Sequence, residues 1–153
     1  MIVETIICTV DIENNPHITP FGVHFEDENI IISPYKPSTT LNNILATQFA
    51  VMNMTDDVRV FAGALTGHTN WSLLPVNDHT GYRLANCLAH TVLQLIAVRD
   101  DETRPQLVMQ AVCSENHQSQ FVNKLFQSLP CLLAAYLNDL LILKALPPQL
   151  VHG

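Results

Sequence analysis

The segment Ser33-Pro34-Tyr35-Lys36-Pro37-Ser38-Thr39-Thr40-Leu41-Asn42-Asn43 joins an apolar run, Ile30-Ile31-Ile32, to an amphipathic one. Neither Pro34 nor Pro37 can donate a backbone hydrogen bond, so a strand over the isoleucines has to stop here. Ser38, Thr39 and Thr40 offer N-cap hydroxyls, and Leu41, Ile44, Leu45 and Phe49 recur at helical spacing, which predicts a short helix from about 39 to 48. The first turn of a helix carries unpaired N–H groups and a partial positive charge. Three hydroxyls and the Lys36 ammonium placed there suit a phosphate monoester. A plainer alternative stays open: Ser38 or Thr39 caps the helix and Lys36 is solvated.

Upstream, residues 2–10 are rich in β-branched side chains, and Glu13-Asn14-Asn15-Pro16 supplies turn chemistry before a second extended run, His17 to Phe25. Glu26-Asp27-Glu28-Asn29 makes a further turn, so three strands precede residue 38. Downstream, Phe49 to Met54 and Val58 to Leu65 read as two strands around the turn Thr55-Asp56-Asp57. Gly67 to Gly81 reads as a long irregular loop containing Trp71, and loops of that length are usually functional or interfacial. Residues 82–98 fit a helix through Leu84, Leu88, Thr91 and Leu95, and a strand through Thr91-Val92-Leu93 and Ile96-Ala97-Val98. Periodicity alone leaves both open. The turn Asp100 to Pro105 followed by a strand from Gln106 to Cys113 favours a hairpin. After Glu115, Leu125, Leu129, Leu132, Leu133, Tyr136, Leu137, Leu140 and Leu141 form a wide apolar helical face, and Pro130 kinks that helix or begins another. The expected fold is mainly β with α, an α+β domain over 1–116 with a helical segment, 117–153, packing on it.

Composition narrows the function. The chain has 153 residues, 48% hydrophobic and 14% charged, which is more apolar surface than a compact monomer needs to bury. A subunit interface is the expected outlet. Seven Lys plus Arg against fourteen Asp plus Glu give a formal charge of -7. Counterion release on a nucleic-acid backbone needs clustered cations, so no nucleic-acid partner is expected. Glu4 stands where a secretory signal would be basic, no run is long enough to span a bilayer, and Asn138 and Asp139 break the most apolar segment. A cytoplasmic location is expected. Cys8, Cys87, Cys113 and Cys131 lie far apart without a CxxC pair, as core thiols of a reducing compartment do. Cys87 and His90, with Cys113 and His117, have spacings a zinc site could use. On one strand Cys87 and His90 would point to opposite faces, so no metal is expected. There is no GxSxG elbow to support hydrolase chemistry.

The Ser-Pro strand end, the Ser-Thr-Thr-Leu-Asn-Asn-Ile helix start and the strand Phe49-Ala50-Val51-Met52-Asn53-Met54 resemble flavin-reductase-like FMN-binding split barrels. More closely, the chain resembles the domain-of-unknown-function 447 family, known mainly from methanogenic archaea and C1-using bacteria. The matching residues are Glu4-Thr5-Ile6, Thr19-Pro20-Phe21-Gly22-Val23, Ser33 to Asn43, Asn53-Met54-Thr55-Asp56-Asp57, and Tyr82-Arg83-Leu84-Ala85 through Arg104-Pro105. The resemblance implies a split β-barrel homodimer with one FMN per subunit near the interface, and assigns 82–98 to a strand. It also implies that Lys36, Ser38, Thr39, Thr40 and Asn43 hold the phosphate and ribityl chain. Thr19, Pro20, Phe21, Gly22 and Val23 would pass close to the isoalloxazine ring, with Gly22 letting backbone N–H groups approach it. Ser33, Tyr35 and Asn53 complete the cofactor-binding set. Where the family has Phe-Asn-Arg-Ala, this chain has Phe121-Val122-Asn123-Lys124-Leu125, which leaves the role of that arginine unfilled. His68 and Trp71 either cover a flavin of the partner subunit or pack on their own barrel.

The implied activity is that of an FMN-dependent oxidoreductase taking hydride from a nicotinamide donor, possessing no dedicated catalytic acid and linked to tetrahydromethanopterin C1 metabolism. The alternative is a flavin-binding or carrier protein without turnover. A deazaflavin would fit a similar site.

Overall fold

In the computed structural model the described residues are 1–68 and 70–117. Ten elements follow one another: β1 (Ile2–Val10), β2 (Pro16–Glu26), β3 (Asn29–Ile32), α1 (Thr39–Thr47), β4 (Phe49–Met54), α2 (Val58–Leu65), β5 (Leu73–Pro75), β6 (Tyr82–Leu84), β7 (Ala89–Arg99) and β8 (Gln106–Asn116). Six strands close a barrel in the order β1-β2-β3-β8-β7-β4, and β5 pairs with β6 in a separate two-stranded sheet. The expected mainly-β fold, the helix after the third strand and the β7–β8 hairpin are all present. The predicted C-terminal helices fall outside the described residues.

β1 forms the inner wall. Alternate side chains of a strand face opposite ways, and here both faces are covered. Ile6 and Cys8 join Val51, Val92, Val60 of α2, Val76, Leu84 and Cys87 in one apolar cluster. On the other face Thr9 accepts a hydrogen bond from Asn43 of α1 at 3.0 Å. The barrel is opened by the shortness of β3. β2 runs eleven residues but pairs with β3 only from His24 to Glu26. β8 also runs eleven residues and pairs with β3 only from Leu107 to Gln110. Among the described residues, the first two-thirds of β2 therefore carry β1 on one edge and no ladder strand on the other. This is the split of the barrel.

Two expectations are corrected. Val58–Leu65, predicted as a strand, is helix α2, because the Asp57 carboxylate accepts the Arg59 N–H at 3.0 Å and caps it. Val60 of this helix is buried in the apolar cluster and Phe61 packs against it, while Val58 is exposed, so the helix covers the barrel instead of joining a ladder. Residues 82–98 are not one strand: β6 ends at Leu84, a turn closed by Cys87 N–H to Leu84 O intervenes, and β7 starts at Ala89.

Candidate functional site

The segment that ends β3 is clamped to the β7–β8 turn. Lys36 N–H donates to Thr103 O at 2.8 Å. Arg104 donates through Nε to Ser33 O at 2.8 Å, and its guanidinium lies 4.8 Å over the centre of the Tyr35 ring. The turn is itself ordered by Asp101, whose carboxylate accepts the N–H groups of Thr103 and Arg104 at 2.9 and 2.7 Å. Those two bonds hold the Asp101 carboxyl below its ordinary range. Lys36 Nζ lies 2.7 Å from Asp100, and the ammonium lowers the Asp100 carboxyl in the same way.

Immediately beyond, Ser38 is the N-cap of α1, accepting the Leu41 N–H at 3.2 Å. A capping hydroxyl used as an acceptor still has its own proton to donate. Thr39 is exposed beside it. Ser38 and Thr39 thus open α1, and Lys36, two residues before the cap, has its ammonium on Asp100. The rest of the predicted phosphate set turns inward. Thr40 and Asn43 are 2% and 5% exposed, and Asn43 spends its amide on Thr9. Asn53 is fully buried, donating to Ile6 O and Val51 O at 3.2 Å and accepting the Leu84 N–H at 2.8 Å. Its place is in the framework.

A cleft of about 390 Å³ is lined by Ile2, Glu4, Gly22, His24, Ser33, Arg104 and Gln106. That volume is within the roughly 300–1,000 Å³ of small-molecule pockets. It brings Gly22 and Ser33 together, and Arg104 links it to Tyr35. A Cβ at Gly22 would lie 2.8 Å from Ile2 Cγ2 and 3.1 Å from Glu4 Oε1, so the missing side chain makes room for those two residues of β1. Thr19 lines a second, narrower cavity of about 190 Å³ with Pro16, His17, Ile18, Ala64, His68, Trp71 and Leu73. Phe21 and Pro20 lie between them on β2, half-buried. The loop aromatic packs on its own barrel: Trp71 meets His68 edge to face at 4.8 Å and touches the apolar cluster of β1. Arg104 was not foreseen as a site residue, although it is one of only seven cations and follows a turn directly.

The model of the protein of unknown function (DUF447) N-terminal domain matches residues 3–118. The chain belongs to this family. No curated protein matches it. Among solved structures, the DUF447 chain is similar to an FMN-bound protein of Methanosarcina mazei carrying the same family model, with 18% identity and a TM-score of 0.67 over 76% of this chain and 61% of that one. It is similar to the 2-nitrobenzoate 2-nitroreductase of Pseudomonas fluorescens at 16% identity and a TM-score of 0.64, covering 74% and 64%. A putative flavin reductase with a split barrel domain from Shewanella frigidimarina gives 13% identity and a TM-score of 0.67, covering 76% and 67%. The chain thus spans less than two thirds of the first two of these proteins. The likeness establishes the fold as the split barrel of flavin-reductase-like proteins.

Proposed function

We propose that this DUF447 chain binds FMN and serves as a flavin-dependent oxidoreductase. The observation that carries the reading is the start of α1 in a split barrel, where Lys36, Ser38 and Thr39 follow closely in the chain and the helix begins with a partial positive charge. These residues would hold the phosphate. The open edge of β2 from Thr19 to Val23, with Ser33, Tyr35 and Arg104, would border the ribityl chain and ring. Thr40, Asn43 and Asn53 support the site from behind, through Thr9 and the β1–β4 ladder. When bound, the flavin supplies the hydride or electron chemistry, and the protein supplies position, hydrogen bonds and shelter from water. A nicotinamide donor fits this reading, and so do a cytoplasmic location and a homodimer with the flavin near its interface. A link to tetrahydromethanopterin C1 metabolism rests on the sequence resemblance alone.

The test is an absorbance spectrum of the purified protein before and after incubation with FMN and desalting. About one flavin retained per chain supports the reading; none retained by folded protein overturns it. Bleaching of the retained flavin by NADH or NADPH without oxygen separates an oxidoreductase from a carrier.

A further inference from the structure

We propose that Cys87, His90 and His117 form a three-ligand site for a borderline-soft divalent metal ion, zinc above all. Their ligand atoms all lie within 4.8 Å of one another. His90 Nδ1 stands 2.6 Å from His117 Nε2, with the two rings 4° from parallel. Cys87 and His90 are 3% and 2% exposed, while His117 is half-buried and leaves an entry path. The argument that Cys87 and His90 face opposite ways does not apply, because Cys87 lies in the turn before β7 and not in the strand.

The backbone pins all three residues. Cys87 N–H donates to Leu84 O at 3.3 Å, Leu88 N–H to Met54 O at 2.8 Å, and His117 N–H to Leu88 O at 2.8 Å. Two strand ends and a turn thus bring one thiol and two imidazoles together, the imidazoles joined nitrogen to nitrogen by a hydrogen bond that an entering ion replaces. A tetrahedral zinc with bonds of about 2.0–2.1 Å to nitrogen and 2.3 Å to sulfur sets ligand atoms roughly 3.3–3.6 Å apart. The imidazole nitrogens have to part by under about 1 Å and turn toward the ion, and the thiol has to close by up to about 1.5 Å, which are side-chain adjustments. Thiol and imidazole donors without a cage of carboxylates select zinc and its neighbours over calcium or magnesium.

The surrounding charge is mixed. Arg83 donates to the carbonyls of Leu84 and Ala85 and brings Nη1 to 3.9 Å from Cys87 Sγ, where it favours the thiolate. Glu115, the cross-strand partner of His90, adds a negative charge that acts on both imidazoles. Burial raises the Cys87 thiol, so its proton leaves as the ion binds, and the thiolate and this carboxylate then outweigh the single Arg83 charge. Cys113, which the sequence spacing would include, is not among the three. The fourth position is open to water. His90 lies near the start of β7 and Arg99 ends it, so the cluster is about 30 Å along the strand from the turn that holds Lys36. The metal site therefore lies far from the proposed phosphate site.

The full chain is loaded with zinc chloride, desalted and analysed for metal, and titrated with cobalt(II) against a cobalt-free blank. We expect one ion per chain, a thiolate-to-cobalt charge-transfer band in the near ultraviolet and the strong visible bands of four-coordinate cobalt. Cys87→Ser is expected to lose the charge-transfer band, and Cys87→Ser and His117→Ala each to weaken zinc binding roughly tenfold or more. If Cys87→Ser fails to fold, His117→Ala, whose side chain is half-buried, decides. No retained zinc in the wild type, or equal retention by His117→Ala, overturns the proposal.

Discussion

Asn53 shows how one residue can be read for the wrong task. From sequence it belongs with the flavin ligands; in the fold each of its polar atoms already has a protein partner. Sequence cannot separate a polar residue that meets a ligand from one that ties three strands together, because the difference lies in which backbone groups reach it. Replacing it with alanine leaves the Leu84 N–H and two carbonyls without their partner, and an unpaired buried group costs about 1–3 kcal/mol. Asn53→Ala should therefore lower the melting temperature, by roughly 2–4 °C for each kcal/mol lost. An unchanged melting temperature would show that water takes over these bonds. Lys36 presents a different case: the sequence left open a phosphate contact or a solvated cation, and in the fold the residue is exposed. What the sequence hid is its pairing with Asp100, 2.7 Å away and 83% exposed. Exposed pairs contribute little, on the order of 0.2–1 kcal/mol, so a phosphate can displace the carboxylate. Lys36→Ala should weaken FMN binding about tenfold, since a charge-assisted bond contributes roughly 1.5–3 kcal/mol. Asp100→Asn should tighten it up to about fivefold. Fluorescence quenching of titrated FMN measures both, and equal affinities in all three proteins would place the phosphate elsewhere.

Among the elements, those fixed by local chemistry were legible. β1 to β3 follow from β-branched runs and turn residues, and α1 from its cap and apolar spacing. α2 was not, because Val58-Arg59-Val60-Phe61 has the composition of a strand and Asp57 reads equally as a turn residue or a cap. The deciding fact is tertiary: β4 already has β1 and β7 as neighbours, so the next segment has no edge to join and crosses the surface as a helix. Its cap is charged. Arg59 donates to Asp57 through Nε at 2.9 Å and Nη2 at 2.7 Å, and these bonds bring the Asp57 carboxyl down to about 2. A carboxyl depressed in the folded state stabilises the fold wherever it is ionised in both states, above about pH 4, and that contribution disappears as pH falls through about 2. Asp57→Ala should then melt below the wild type by a constant interval from pH 5 to 8. The interval should shrink on acidification from pH 4 to 2. An interval independent of pH over that window would mean that the cap works without its charge.

For the whole molecule, the barrel bears on whether this chain pairs with a second copy. Closing six strands with a β3 of only four residues leaves β2 and β8 with stretches of edge that no strand among the described residues pairs, and open edges and apolar patches are normally covered. The far end of β7 carries Ile96 and Val98, 49% and 45% exposed, where an irregularity in its register with β8 sets Ile96 outside the ladder. A second copy of the chain is the simplest cover for such a face, as the apolar composition already suggests. The wild type should then sediment at twice its 17.0 kDa mass. Ile96→Glu with Val98→Glu should yield a folded monomer, because two carboxylates buried in an apolar contact cannot keep their hydration. If the flavin lies near the interface, the monomer should also retain less FMN after desalting, although neither residue belongs to the phosphate site. A monomeric variant that holds flavin as well as the wild type would leave the dimer standing and place the cofactor wholly within one subunit; a wild type that sediments at 17.0 kDa would show that the exposed face of β7 is covered in some other way.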